Sequence, residues 1–125
     1  MSFEINYELR SGYVFLTVEG MISERNLVEL AVRIKRICHD SKMQGVVIDA
    51  QGIQGALSAA QLFFATQSFF EELGTTVKVA YINPPAHWNA ADDELSRNVA
   101  KNRGGSLEVF DSESQAVTWL SQQTK

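Results

Sequence analysis

The sequence has one cysteine, two prolines and two histidines, so it holds little of what makes cross-links, rigid turns or zinc sites. Cys38 alone cannot form an internal disulfide, and no cysteine–histidine cluster has zinc-ligand spacing. Basic charge is also short. Eleven Lys and Arg against 15 Asp and Glu give a net charge of -4, which argues against a nucleic-acid binder relying on a basic surface. Met1 to Arg10 has neither a basic stretch nor a long apolar run, so it does not read as a signal peptide, and a cytoplasmic protein is expected. The longest uncharged stretch, Ala50 to Phe70, is broken by Gln51, Gln54, Gln61 and Gln67, whereas a spanning helix needs about 20 mainly apolar residues. No glycine-rich phosphate loop and no Gly-x-Ser-x-Gly elbow occurs, so neither a nucleotide enzyme nor a serine hydrolase is expected, and no cofactor or metal is implied. Linkers, repeats and low-complexity tracts are missing as well. With 45% hydrophobic and 21% charged residues, the 125 residues are expected to form one domain spanning 1–125.

What is present is periodicity. Phe3, Ile5 and Tyr7 alternate with Glu4, Asn6 and Glu8, and Tyr13 to Val18 is rich in β-branched and aromatic residues. With Arg10-Ser11-Gly12 between them, the two read as an opening hairpin. Ser23 is a helix N-cap candidate, followed by Leu27, Leu30, Ala31, Ile34, Ile37 and Cys38 at helical spacing. Gly45-Val46-Val47-Ile48-Asp49 reads as a buried strand, and Ala50 to Leu57 as a loop. Ser58 and Gln61 have capping-box spacing and open a helix running to Leu73, before Gly74. Val77 to Ile82 is a strand, Asn83-Pro84-Pro85 ends it, and a helix starts near Ala90. Leu107 to Phe110 is the last strand, and Ser112 with Gln115 opens the last helix. The order β-β-α-β-α-β-α-β-α predicts an α/β fold: a five-stranded mixed sheet, antiparallel at its start and parallel after it, with four helices.

This order resembles the STAS domain, the fold of the SpoIIAA-like anti-sigma-factor antagonists, over nearly the whole chain. Gly45-Val46-Val47-Ile48-Asp49 followed by Gly52-Ile53 looks like the family's central strand and loop. Asn102-Arg103-Gly104-Gly105, Val109-Phe110-Asp111 and Ala116-Val117-Thr118-Trp119-Leu120 look like its ending. The antagonists carry Asp-Ser-Ser-Gly at the start of the second helix, where a kinase phosphorylates a serine. The corresponding residues here are Leu57-Ser58-Ala59-Ala60, which keep one hydroxyl and lack the acid, the second hydroxyl and the glycine. The resemblance thus makes Ser58 the phosphoacceptor candidate. It implies a non-catalytic regulatory or protein-interaction domain.

Two further groups of residues are candidates. Asp49, Ser58, Asn83, His87 and Trp88 fall after strands at the end of the sheet where open α/β folds bind ligands, and could line one pocket. The alternative function built on them is a carrier or sensor of a lipophilic or small anionic ligand with membrane-surface contact. The likeness of SpoIIAA-like domains to lipid-binding CRAL-TRIO folds agrees with it. In the second helix, 100° per residue gathers Leu62, Phe63, Thr66, Phe69, Phe70 and Leu73 on one face and turns Phe64 away, beside Gln67 and Ser68. The flank around Phe64 is free of charge (Ala60, Gln61, Ala65, Gln67, Ser68), as an interface core is. Phe64, Gln61, Gln67 and Ser68 are therefore the interface candidates, with a protein partner or a homodimer expected. The basic group Arg33, Lys35, Arg36 and Lys42 reads as a solvated face able to meet an acidic partner or anionic lipid.

Overall fold

The computed structural model describes residues 3–82 and 90–123. The two alternating segments at its start become β1 (Phe3–Arg10) and β2 (Tyr13–Met21), paired antiparallel in an unbroken register from Phe3↔Gly20 to Arg10↔Tyr13. Gly12 closes the turn between them at φ +88°, a value that favours glycine. Then follow α1 (Glu24–Ser41), β3 (Gly45–Gln54), α2 (Ala59–Leu73), β4 (Lys78–Ile82), α3 (Ala90–Asn102), β5 (Ser106–Phe110) and α4 (Glu113–Gln123). The sheet order is β1-β2-β3-β4-β5, with every pair after the first parallel. The expected mixed five-stranded sheet with four helices is present.

Because the strands follow one another in sequence order, each right-handed crossover lands its helix on the same face. There α1, α2 and α3 cover Val14, Leu16, Val18, Val46, Ile48 and Val79 with Leu30, Ile34, Phe69, Phe70 and Ala100. The alternate residues Val47, Ala80 and Ile82 point to the other face, where α4 covers them with Ala116 and Leu120. Just before β5, a Cβ on Gly105 would lie 2.6 Å from Cδ1 of Phe70, so a glycine lets the chain pass over that ring.

One expectation needs correcting. Ala50 to Leu57 was expected as a loop, but β3 runs on to Gln54, pairing Glu19↔Gly52, Gly20↔Ile53 and Met21↔Gln54 after a register shift between Thr17 and Glu19. The cause is β2. It extends to Met21, offering Gln51 to Gln54 backbone partners that their polar side chains do not announce, while Ile53 is buried in the core.

Candidate functional site

The N-terminal end of α2 starts at Ser58, whose extended backbone (φ -64°, ψ 165°) precedes the first helical residue. Ser58 Oγ accepts from the Gln61 N–H at 3.2 Å, and Gln61 Oε1 accepts from the Ser58 N–H at 2.9 Å. The capping box expected from the sequence is therefore complete. It engages two of the candidate residues with each other, at an exposed position.

Burial along α2 begins only at Ala65, continuing through Thr66, Phe69, Phe70 and Leu73. The helix contains two Phe-Phe pairs, six residues apart. Six residues turn the helix through 600°, so the pairs face different ways. Phe69 and Phe70 are in the core, with ring centroids 5.1 Å apart. Phe63 and Phe64 are 38% and 57% exposed, edge to face with centroids 5.3 Å apart. Phe64 lies outward as expected. Phe63 was expected on the core face and is not there: its spacing fits the stripe, but it sits two residues before burial starts, following exposed Ala59, Ala60 and Gln61. Ala65 was expected on the outward flank and is buried, because α2 is the middle helix of three and packs against both α1 and α3.

Around the rings, Ser68 is exposed and Gln67 is half-buried, its Nε2 donating to Glu71 Oε1 at 3.3 Å. From Ser58 to Phe70 no residue carries charge; the first are Glu71, facing Arg103 Nη2 at 3.6 Å, and Glu72. The site is thus two exposed phenyl rings on an uncharged, rigidly capped helix start.

The pocket candidates stand differently. Asp49 is half-buried, and its Oδ1 accepts from the Gln51 N–H at 3.1 Å. It follows Ile48 on β3, so its side chain shares the α4 face with Val47, while Ser58 caps a helix on the opposite face. Among the described residues no hydrogen bond links the two. Asn83, His87 and Trp88 lie outside the described residues. Moreover, a strand order of 1-2-3-4-5 contains no reversal, and a reversal is what opens a ligand crevice in doubly wound sheets.

Two polar groupings did not stand out in the sequence. Asp93 is buried on α3, and its charge adds to the burial that already pushes the Tyr81 phenol well above its usual range. Its signal was available: Asp93 lies seven residues before Ala100, on the same buried stripe, but among Asp92 and Glu94 it reads as one more acid of a first helical turn. On the other face, Arg10 stacks over the Phe15 ring at 4.7 Å and reaches Glu113 Oε2 at 3.3 Å, while the Tyr13 hydroxyl donates to the same oxygen at 3.1 Å. Burial first, and that bond second, raise the Tyr13 pKa. This cluster ties the hairpin to the first turn of α4 and needs long-range contacts that no local pattern encodes.

These elements define an α/β fold of SpoIIAA-like type. No protein-family model matches the sequence, and no curated protein matches it significantly. Solved structures do match in fold. An anti-sigma factor antagonist from Mycobacterium paratuberculosis is 20% identical with a TM-score of 0.61, covering 96% of this chain and 95% of that one. An uncharacterised DUF3478-family protein with a SpoIIAA-like fold from Shewanella loihica PV-4 is 17% identical with a TM-score of 0.59, covering 94% and 93%. The anti-sigma factor antagonist SpoIIAA in its unphosphorylated form is 9% identical with a TM-score of 0.56, covering 95% and 97%. The STAS/SpoIIAA-like resemblance expected from the sequence is therefore found in the fold.

Proposed function

We propose that the chain is a cytoplasmic, non-catalytic regulatory domain that acts by protein–protein contact through the start of α2, and that its simplest complex is a homodimer. The single observation that carries this is the exposed Phe63–Phe64 pair on an uncharged helix surface. Burying a phenyl ring fully is worth about 1.5–3 kcal/mol, and here no charge has to be desolvated with it. A twofold contact doubles the gain, and it is the commonest way a soluble protein covers such a patch. The similarity in fold to anti-sigma factor antagonists agrees with a role exercised on other proteins. Ser58, five residues before the first ring, is where we place a phosphoacceptor if the contact is switched; a phosphate there would bring charge to an otherwise uncharged surface. The ligand-carrier alternative gains no support from the comparisons.

Sedimentation of the wild type and Phe64→Glu over a range of concentrations tests the proposal. The wild type is expected to associate and the variant to remain a folded monomer. A wild type that stays monomeric at high concentration rules out the homodimer. So does a variant that unfolds, because Phe64 would then belong to the core.

A further inference from the structure

Independently of α2, the opposite flank of the molecule carries an open groove of about 350 Å³ between β1 and the C-terminal half of α1. Tyr7 and Leu9, 50% and 56% exposed, line it from β1; Arg33, Arg36, Ile37 and Asp40 line it from α1. β1 is the first strand of the sheet order, so its outer side has no neighbour among the described strands. In an antiparallel pair only alternate residues exchange backbone hydrogen bonds with the partner, so every second residue of β1 directs its N–H and C=O outward. Proteins usually blunt such an edge with proline, a bulge or charged side chains; the charged residues of β1, Glu4, Glu8 and Arg10, alternate with the residues that line the groove. β1 has no proline, its register is unbroken, and Glu4 and Glu8 alternate with Ile5, Tyr7 and Leu9, which puts their charge on the other face of the sheet.

We propose that this groove takes an extended, acidic peptide segment of a partner protein, which adds a sixth strand along β1. The charge inside the groove selects this occupant. Neither Arg33 nor Arg36 makes an ion pair or a side-chain hydrogen bond among the described residues, and the groove sets these two arginines against one acid, Asp40. In a protein of net charge -4, this is a local surplus of free guanidinium groups next to exposed apolar side chains. The spacing also fits. Arg33 and Arg36 stand three apart on a helix, about 5–6 Å between Cβ atoms. Groove-facing residues of a strand recur about every 6.6 Å, so two acids in alternate positions meet the two arginines, and flanking apolar residues meet Tyr7, Leu9 and Ile37. The same charge argues against a second copy as occupant. Two β1 strands paired about a twofold axis would bring the two α1 helices to the same face, with arginines facing arginines and each protomer's Glu4 and Glu8 on the far side.

The test uses a fluorescein-labelled nonapeptide, Thr-Val-Thr-Glu-Thr-Glu-Thr-Val-Thr, with a control in which both glutamates are lysine. Fluorescence polarisation and amide chemical shifts are read on the full chain. The acidic peptide is expected to bind and to shift β1 amides. The lysine peptide is expected to fail. Arg33→Glu/Arg36→Glu, at exposed positions and with its fold checked by circular dichroism, is expected to weaken binding by about tenfold or more. No binding of the acidic peptide at millimolar concentration overturns the proposal, as does equal binding of the lysine peptide or of the double variant. Arginine-dependent binding to vesicles of phosphatidylcholine and phosphatidylserine, without peptide binding, assigns the groove to a membrane surface instead. A dimer whose protected amides lie on β1 assigns the edge to a second copy. Both of those results also overturn the proposal.

Discussion

Ser58 does its structural work through one oxygen: Oγ takes the Gln61 N–H that would otherwise lack a partner at the helix start. Removing that oxygen in Ser58→Ala is expected to cost about 0.5–2 kcal/mol in urea unfolding. Ser58→Asp, whose carboxylate caps as well as a hydroxyl does, is expected to stay within a few tenths of a kcal/mol of the wild type. Equal losses in the two variants would show that capping is not what Ser58 contributes. Cys38 gives a second residue-level test. Burial on the core face of α1 pushes its thiol up to about 11, against about 8.5 for a free cysteine. A pKa raised in the folded state stabilises the protein fully below the unfolded value, so this contribution is intact at neutral pH and declines as pH rises from about 8.5 through about 11. Ellman's reagent at pH 8 is expected to react slowly with the native protein and at once after denaturation. Rapid native labelling would place the thiol at the surface.

At the scale of elements, the sequence exposed what depends on neighbours along the chain and hid what depends on neighbours in space. The hairpin, the Ser23 and Ser58 caps and the buried stripe of α1 are local patterns, and each is present. The strand from Gln51 to Gln54 exists because β2 reaches far enough to pair with it, and Phe63 is exposed because core packing starts only at Ala65; neither fact is written in its own segment. Of the candidate site, Ser58, Gln61 and Phe64 were legible through capping and helical phase, while the second ring needed the packing. The two Phe-Phe pairs of α2 make the contrast measurable. Gly105→Ala would drive a methyl group against the buried Phe70 ring, and overpacking of this kind costs about 1–3 kcal/mol. Phe64→Ala, at the exposed pair, is expected to change monomer stability by no more than about 0.5 kcal/mol. Thermal unfolding of both variants at a concentration that favours the monomer checks the difference. A large loss at Phe64 would mean that the outer pair is structural.

At the scale of the molecule, a sheet in sequence order leaves its two ends unequal. Three helices cover one face and α4 the other, and the strand order contains no reversal of the kind that opens a ligand crevice in doubly wound sheets. Two surfaces are available: the capped start of α2 with its paired rings, and the edge of β1, which has no neighbour among the described strands, beside Arg33 and Arg36. The two lie on different elements, so a protein could occupy one without displacing what sits on the other. That the rings of α2 form a contact between protomers is the central claim. Isotope-filtered nuclear Overhauser spectroscopy on a mixture of labelled and unlabelled protein tests it most directly. The account predicts intermolecular cross-peaks between the Phe63 and Phe64 ring protons of one protomer and α2 of its partner. No intermolecular cross-peak at the highest attainable concentration, or cross-peaks confined to other elements, would contradict it.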